Sequence, residues 1–408
     1  MMRSMFSAIG GMKNHQIRMD VIGHNIANVN TIGFKAGRAT FQEVLSQTLR
    51  GASAPQSQRG GTNPMQVGLG MKLMSIDTIF NQGSPQATGR GTDLAIQGDG
   101  FFVLKDGAGL VYTRAGAFDV DGDGYLVDAG GRRVQGWTAG LTGLTTQDAS
   151  ATGDIRISLG QATPAQATTS VWLAGNLDST APVGHQRTAT VSVFDSLGQP
   201  VNLTIAFTKT GVNQWEWEVT GPEGMPTGSE GGSGELTFGT DGRLLEVTGE
   251  VLTLFPPGAE PLSAAMDFQA VTQGAGPSSA EVSSRNGYPR GEIEAFFIDN
   301  TGTITGFFTN GVSMQLARLA LASFANQSGL LRAGDNLFRT SNNSGLAQIG
   351  EAGTGGRGRI NAGYLEQSNV DLAMEFTEMI VTQRGFQANS RVITTTDEIL
   401  NELVNLKR

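Results

Sequence analysis

The two ends of the chain carry apolar residues at a strict seven-residue spacing, and the middle of the chain does not. Between Ser4 and about Val29 the residues at this interval are Met5, Met12, Met19 and Ile26. Near the C-terminus they are Leu372, Met379, Phe386, Ile393 and Leu400. A sustained period of seven is typical of a helix that packs along another helix. The pattern therefore predicts a helix at each end and nominates these positions as its seam.

A second apolar position in each repeat is missing from both predicted helices. Gln16 and Gly23 interrupt it in the first, and Gln383, Ser390 and Asp397 interrupt it in the second. A seam this narrow buries little surface in one isolated helix pair. Two interpretations stay open. Each end orders only when neighbouring subunits supply apolar surface, so that the seam is an assembly contact, or each is a surface helix docked on its own chain's core.

The middle of the chain predicts short strands joined by tight turns. Glycine accounts for 58 of the 408 residues, without a three-residue period, and this favours many turns. Asp-Gly pairs begin at 99, 106, 121, 123 and 241, and Asn-Gly pairs begin at 286 and 310. Such pairs are strong hairpin signals. Trp215 and Trp217 alternate with Glu216 and Glu218, which predicts a strand with one buried and one solvated face.

Composition indicates a nested arrangement of domains. Residues 31–71 include a stretch rich in Gly, Ser, Gln and Pro, which predicts an extended or loop-like connector. Shifts near 145 and 285 indicate an inserted domain. The predicted fold class is α+β, mainly β, with terminal helices in a coiled-coil-like axial region. The predicted parts are an axial domain (1–30 with 361–408), a connector (31–71), a discontinuous β-rich domain (72–145 with 286–360) and an inserted outer β-domain (146–285).

Charge and composition exclude several classes of function. The net charge of −9 comes without a dense Lys/Arg cluster, which argues against a nucleic acid partner. The absence of cysteine excludes disulfides, thiolate catalysis and zinc–thiolate sites. No run of 18 apolar residues occurs, so we expect no membrane insertion. The N-terminal apolar stretch is broken by Gly10, Gly11 and Lys13, which predicts a retained amphipathic helix instead of a cleaved signal peptide.

Three candidate sites for ligands are weak. Asp119, Asp121 and Asp123 match the opening of a calcium-binding loop, but Gly130 stands where the loop needs a bidentate glutamate, so a hairpin turn is favoured. A G-x-G-x-x-G at 353–358 lacks the expected strand and helix on either side, and a flexible joint before the C-terminal helix is favoured. None of the histidines has metal-ligand spacing: His15, His24 and His185. We assign no catalytic residue, cofactor or metal, and expect a protein that is not an enzyme.

Several motifs resemble those of a known family, the flagellar rod and hook axial proteins. They are NIANVNTIGFK at 25–35, GRGTDLAIQGDGFF at 89–102, SLGQP at 196–200, NGYPRGEI at 286–293 and the helical stretch at 365–406. Asparagines near the end of the first helix favour a cap, and Gly33 permits a left-handed residue after it. The motif residues carried over are Asn25, Asn28, Asn30, Gly33, Phe34, Asn369, Gln383 and Arg384.

The resemblance implies a structural role. It implies a subunit that polymerises with itself into a curved extracellular tube and, like a universal joint, passes torque from rod to filament. Helices 4–29 and 366–406 would line a central channel, the split β-domain would form a middle shell, and the insert would face solvent. The implied partners are further copies of the chain, a distal rod protein, a hook-capping protein and hook–filament junction proteins. Export would use the flagellar type III apparatus, without signal-peptide cleavage.

Two other functions stay open. The end motifs are shared by all the axial proteins, and the long middle favours the hook over a distal rod subunit, which is the nearer alternative. A secreted β-rich glycan hydrolase is the more distant one, and it would need paired acids in a cleft. The connector at 46–67 is longer than in some hook proteins and resembles a stretch that stiffens the distal rod.

Overall fold

The computed structural model describes residues 2–55, 59–107, 109–138, 152–157, 160, 162–221 and 232–406. The chain divides into two compact units. The first is Met1–Ile157 with Phe297–Thr305 and Gln315–Arg408, and the second is Ser158–Phe296 with Gly306–Met314. The predicted boundary at 145–146 lies outside the described residues, and the predicted domain limits stay a prediction. No helix in the described ranges is apolar enough over its length to cross a bilayer.

The elements have the following bounds. The N-terminal part contains α1 (Met2–Ala27), β1 (Gly37–Glu43), β2 (Ser46–Arg50), β3 (Met65–Gly68), β4 (Met71–Thr78), β5 (Pro85–Ala87), β6 (Leu94–Gln97), β7 (Phe101–Asp106), β8 (Gly109–Thr113), β9 (Phe118–Val120), β10 (Leu126–Asp128), β11 (Arg133–Thr138) and β12 (Gly153–Asp154). The middle contains β13 (Ala162–Thr163), β14 (Ser170–Asp178), β15 (Gln186–Phe194), β16 (Pro200–Gly211), β17 (Gln214–Thr220), β18 (Ser233–Phe238), β19 (Leu244–Val247), β20 (Val251–Leu254), β21 (Leu262–Gly274), β22 (Glu281–Arg285) and β23 (Gly291–Ile298). The C-terminal part contains β24 (Thr303–Phe308), β25 (Ser313–Leu319), β26 (Leu321–Ser323), β27 (Leu331–Gly334), β28 (Leu337–Arg339), β29 (Gln348–Gly350), β30 (Arg359–Ala362), β31 (Tyr364–Glu366) and α2 (Leu372–Asn405), with a short 3-10 helix at Gln327–Gly329.

Both predicted terminal helices form, with limits a few residues from the expected ones. The first ends at Ala27, where Asn28 Nδ2 donates to a carbonyl oxygen of the last turn at 2.9 Å. The second begins at Leu372 and not at 366, because the Asp371 side chain caps its first backbone N–H groups. The residues just before the cap include β31, which pairs with β5.

The connector is a two-stranded ribbon. β1 pairs antiparallel with β4, and β2 pairs with β3, so the chain runs outward and returns along itself. Burial along β4 mostly alternates between half-buried and exposed residues, which is the period of a strand with one covered face. The extended alternative is confirmed for these strands, and residues 56–58 of the predicted connector lie outside the described part.

The β-rich part of the first unit is built around β7. This strand pairs with β8, β11 and β26, and β8 pairs in turn with β28. Its core is aromatic: the rings of Phe101 and Phe338 lie 5.7 Å apart, and those of Tyr112 and Phe324 lie 4.8 Å apart. The pairings of β5 with β31 and β6 with β30 join the beginning of this unit to its end.

The second unit contains two main sheets. One has the strand order β20-β21-β14-β22, and the other has the order β15-β16-β17-β18-β19. Trp215 and Trp217 on β17 are fully buried in their shared core, and Trp217 lies 4.9 Å from the ring of Phe268. Glu216 and Glu218 on the same strand are exposed. The predicted strand with one buried and one solvated face is confirmed.

The Asp-Gly and Asn-Gly signals predict some hairpins correctly and others wrongly. Hairpin turns form at 106, 121–124, 241 and 310. In the turn between β9 and β10, Asp121 Oδ1 accepts N–H groups from Asp123 and Tyr125, so the calcium-like motif is part of this turn. The pairs at 99 and 286 do not close hairpins, because β6 pairs with β30 and β22 pairs with β14. The G-x-G-x-x-G forms a loop between β29 and β30, followed by a strand and not by the C-terminal helix.

Candidate assembly surface

The terminal helices of the chain pair with each other in antiparallel orientation. Asn25 Nδ2 donates to Glu375 Oε1 at 2.9 Å. About four turns toward the start of α1, Gly11 lies against Asn389, so closely that a Cβ on the glycine would be 2.6 Å from the amide nitrogen. Residues earlier in α1 therefore meet residues later in α2. The glycine allows the two backbones to approach at this point.

The seam between the helices is largely polar. The buried residues of α1 are Ala8, Gly11, Asn14, Ile22 and Asn25, and those of α2 are Glu375, Thr382 and Thr396. The buried positions of α2 follow the predicted seam residues 372, 379 and 393 by three places. The second position of the seven-residue pattern instead lies four places after a seam residue, at Gln383, Ser390 and Asp397. Apolar periodicity does not reveal the buried positions, because polar side chains occupy them.

The predicted seam residues flank this polar seam without being enclosed by it. Met5, Met12, Met19, Ile26, Met379, Phe386, Ile393 and Leu400 are half-buried. Leu372 is exposed. Pairing within one chain thus leaves part of each of these apolar side chains uncovered. Their role as contacts between subunits stays a prediction.

Large apolar side chains are exposed along the helix pair, among exposed polar ones. We call these exposed apolar residues the outer face: Met2, Phe6, Met374, Phe376, Ile380, Val381, Val392, Ile399, Leu403, Val404 and Leu406. Ile380 is 53% exposed and Val381 is 58% exposed. Exposed polar residues, such as Gln383, Arg384 and Gln387, lie between them, but a surface helix of a soluble monomer normally keeps its large apolar residues covered. An exposed apolar surface of this extent is typical of a protein–protein contact.

Among the motif residues, Asn25 holds three elements together. Its Nδ2 donates to the carbonyl oxygen of Gly37 at 2.8 Å as well as to Glu375, and its Oδ1 accepts the N–H of Gly37 at 2.9 Å. The side chain is 1% exposed. These hydrogen bonds fix α1, the start of β1 and α2 against one another.

Gly33 and Phe34 form the turn that follows α1. Gly33 has a φ of 67°, and its N–H donates to the carbonyl oxygen of Glu366 at 2.8 Å. A Cβ here would lie 2.5 Å from the backbone nitrogen of Ala115, so only glycine fits. Phe34 is buried, and the guanidinium of Arg332 lies 5.4 Å from its ring.

Next to this turn, Lys35, Arg114 and Glu366 form a buried ion cluster. Lys35 Nζ donates to Glu366 Oε1 at 2.6 Å, and Arg114 Nη1 donates to Glu366 Oε2 at 3.3 Å. The N–H of Gly83 also donates to Oε1, and Lys35 Nζ donates to the carbonyl oxygen of Asn81. Burial lowers the pKa of Lys35, and the charge of Glu366 opposes that shift. One carboxylate thus ties both ends of the chain to the β-rich part.

A second link between the chain ends runs through Asn369. Its Oδ1 accepts the N–H of Ala36 at 2.8 Å, and its Nδ2 donates to the carbonyl oxygen of Ile79 at 2.8 Å. The remaining motif residues are exposed: Asn30, Gln383 and Arg384. The sequence therefore identified Asn25, Gly33 and Asn369 as motif positions, but it did not identify the ion cluster, whose members are far apart in the chain.

The helix seam also changes the titration of two of its groups. Burial raises the pKa of the Glu375 carboxyl, although the hydrogen bond from Asn25 acts in the opposite direction. Burial, and then the charge of Arg18, lower the pKa of His15. Both groups are shifted toward their neutral forms. In the described part of the chain, no group of three or more acidic or histidine side chains is arranged to hold a metal ion.

Four family models match parts of the chain. Their descriptions are flagella basal body rod protein at 5–35, flagellar hook protein FlgE/F/G D1 domain at 95–171, flagellar basal body protein FlaE D2 domain at 158–288 and flagellar basal body rod FlgEFG protein C-terminal at 361–406. Together they reach from the first helix to the last.

Full-length relatives are also flagellar hook and rod proteins by name. The chain is 43% identical over 464 residues to the flagellar hook protein FlgE of Treponema pallidum, with all of both chains covered. It is 34% identical over 409 residues to the flagellar basal-body rod protein FlgG of Bacillus subtilis, again with all of both chains covered. The crystal structure of Helicobacter pylori flagellar hook protein FlgE2 superposes with a TM-score of 0.54 at 15% identity, covering 69% of this chain and 100% of that one. This last likeness concerns the fold alone.

Proposed function

The chain belongs to the flagellar hook protein FlgE family and is a structural subunit of the bacterial flagellar hook, and we propose that it assembles through the outer face of its terminal helices. The observation that carries this proposal is that α2 buries polar side chains while it exposes large apolar ones. Residues such as Glu375 and Thr382 are buried, whereas Ile380 and Val381 are exposed.

Covering the outer face with further copies of the chain would supply the burial that one chain lacks. Each Å² of apolar surface removed from water contributes roughly 25 cal/mol. A contact between unlike surfaces of identical subunits generates an open helical assembly when its rotation does not close into a ring. The half-buried seam residues, such as Met379 and Phe386, would be covered in the same step. The helix pair would then form the axial layer around the central channel.

We assign the other parts of the chain by position. The β-rich part of the first unit would form the middle shell and the inserted domain the outer surface. The ion cluster around Glu366 supports this assignment, because it joins the terminal segments rigidly to β-strands. Contacts between β-domains of neighbouring subunits would change register as the tube bends and turns, so that torque passes from rod to filament.

Further partners and export follow from the family. At the ends of the tube the chain would contact the distal rod protein, the hook-capping protein and the hook–filament junction proteins. It would reach the outside of the cell through the flagellar type III apparatus, without removal of an N-terminal signal. The family is structural and not enzymatic, and we propose that this chain catalyses no reaction.

A distal rod subunit is the second candidate. The full-length rod relative and the ribbon formed by β1–β4 favour it. A strain lacking this gene decides between the two: a hook subunit leaves a complete rod without a hook, and a rod subunit leaves no distal rod.

The assembly proposal is tested with purified protein under polymerising conditions, observed by electron microscopy. Ile380→Asp and Val381→Asp place a charge on the outer face and should abolish tubes while the circular dichroism of the monomer is unchanged. Gln387→Asp adds the same charge at an exposed polar position of α2 and should still form tubes. Normal tubes from both outer-face variants would refute the proposal. Met379→Asp and Phe386→Asp test the predicted seam in the same way.

A further inference from the structure

The helix seam contains polar atoms that have no hydrogen-bond partner among the described residues. Three of them are Glu375 Oε2, Thr382 Oγ1 and His15 Nδ1. A buried polar atom without a partner destabilises the arrangement that buries it. We propose that Glu375 makes the pairing of α1 with α2 depend on pH, holding the pair tighter in acid and loosening it near neutrality. This inference rests on the proposed role of the two helices in assembly.

The surroundings of Glu375 satisfy only one of its oxygens. Oε1 accepts from Asn25 Nδ2 at 2.9 Å. That amide also donates to and accepts from the backbone of Gly37, so it cannot turn to serve Oε2 without breaking those bonds. As a carboxylate, Glu375 buries a charge with one oxygen unpaired, and this is costly. The protonated acid removes the charge, so the same enclosure costs less.

The charged groups around Glu375 do not compensate it. From α1, Arg18 faces this region, but its guanidinium is hydrogen-bonded to Glu378 at 3.0 Å. From α2, Glu378 and Asp371 add negative charge. Burial raises the pKa of Glu375, the bond from Asn25 and the charge of Arg18 oppose the shift, and the two acids reinforce it.

The strands packed against α1 contribute no excess positive charge near Glu375. Next to Gly37, Arg38 on β1 lies 3.9 Å from Asp77 on β4, so their charges largely offset each other. His15, further along the seam, has its pKa lowered by burial. It therefore supplies little positive charge near neutrality.

The sign of the effect follows from proton linkage. Because the pKa is raised in the paired state, paired helices bind a proton at Glu375 more readily than separated ones do. Pairing is therefore tightest below the ordinary glutamate pKa of about 4.3. It weakens as the pH rises from there to the raised pKa, and is constant above it.

Hydrogen exchange followed by mass spectrometry tests the proposal on the full chain, kept dilute and monomeric, from about pH 4 to pH 8. Exchange rates of peptides spanning 375–396 are corrected for the chemical rate at each pH. We expect protection in the wild type to fall at least about fivefold across this range. In Glu375→Gln this fall should be lost and protection should exceed the wild type at neutral pH. Because the pKa of His15 is lowered in the seam, protection in this variant should rise with pH instead. Glu398→Gln, an exposed acid on the same helix, should follow the wild type.

A second variant gives an independent check. Asn25→Asp places another carboxylate beside Glu375 and should steepen the fall in protection with pH. The proposal is overturned if Glu375→Gln follows the wild type, if protection of the wild type rises with pH, or if Asn25→Asp leaves the slope unchanged. Because the measurement uses dispersed monomers, it stands or falls separately from the electron microscopy of Ile380→Asp.

Discussion

Lys35 Nζ donates a hydrogen bond to Glu366 Oε1 at 2.6 Å across a separation of 331 positions in the sequence. Both side chains are almost entirely buried, and Arg114 occupies the other oxygen of the same carboxylate. The cluster therefore contains two cations and one anion. Removing the anion should be far more damaging than removing either cation.

Replacing Glu366 with glutamine should destabilise the first unit strongly. The change leaves Lys35 and Arg114 buried without a counter-charge, and breaking a buried ion pair in this way costs about 3–5 kcal/mol. The free energy of unfolding is measured from hydrogen exchange of β7 peptides in urea. Asp119→Asn, which breaks the exposed ion pair with Arg90, should cost less than about 1 kcal/mol. Equal losses in both variants would contradict the importance of the cluster.

Lys35→Met should be tolerated better than Glu366→Gln. It leaves Arg114 paired with Glu366, one cation with one anion, and keeps most of the volume of the lysine stem. The substitution leaves the carbonyl oxygen of Asn81 without the hydrogen bond from Nζ. The free energy of unfolding should therefore fall by only about 1–3 kcal/mol. The same urea series gives the comparison, and a larger loss for Lys35→Met would show that charge balance is not the governing factor.

Two glycines near the N-terminus should respond in opposite directions to alanine. Gly33→Ala forces a left-handed residue to carry a Cβ against the backbone of Ala115, which should cost at least about 1–3 kcal/mol. At Gly23, inside α1, a Cβ would meet nothing within 4 Å, so Gly23→Ala should stabilise the helix by about 0.5–1 kcal/mol. Thermal unfolding followed at 222 nm measures both. A stabilising Gly33→Ala would exclude the turn geometry described above.

In the second unit, Trp217→Ala should remove a large part of the core. The indole is fully buried against Phe268, and truncating such a side chain costs about 3–5 kcal/mol. Val212→Ala, at a position 88% exposed, should change the stability by less than about 0.5 kcal/mol. Hydrogen exchange of peptides from β16 measures the unit directly, and similar protection in both variants would contradict the packing.

The sequence predicts the helices and the half-buried strand because each has a local period. The spacing that begins at Leu372 identifies α2, and the alternation around Trp217 identifies β17. The polar side of the helix seam escapes this reasoning, since Glu375 and Thr382 have the residue types of a solvated face. Only the approach of α1, with Asn25 placed beside Glu375, reveals that they are buried.

Long-range pairing is the other limit on what the sequence predicts. In the sequence, Lys35 and Glu366 each look like an ordinary surface charge, because the residues around each of them do not show that the two side chains meet. The Asp-Gly pair at 99 shows the same limit for turns. Locally this pair favours a hairpin between β6 and β7, but β6 instead pairs with β30, far along the chain.

The bond between Lys35 and Glu366 also limits when the first unit can fold, because its partners are 331 positions apart. A polypeptide that leaves a ribosome or a narrow pore one end at a time cannot close this contact until nearly its whole length has emerged, whichever end leads. When the N-terminus leads, Lys35 and Arg114 stay hydrated until Glu366 emerges. The first unit therefore completes its folding only when nearly the whole subunit is outside the pore.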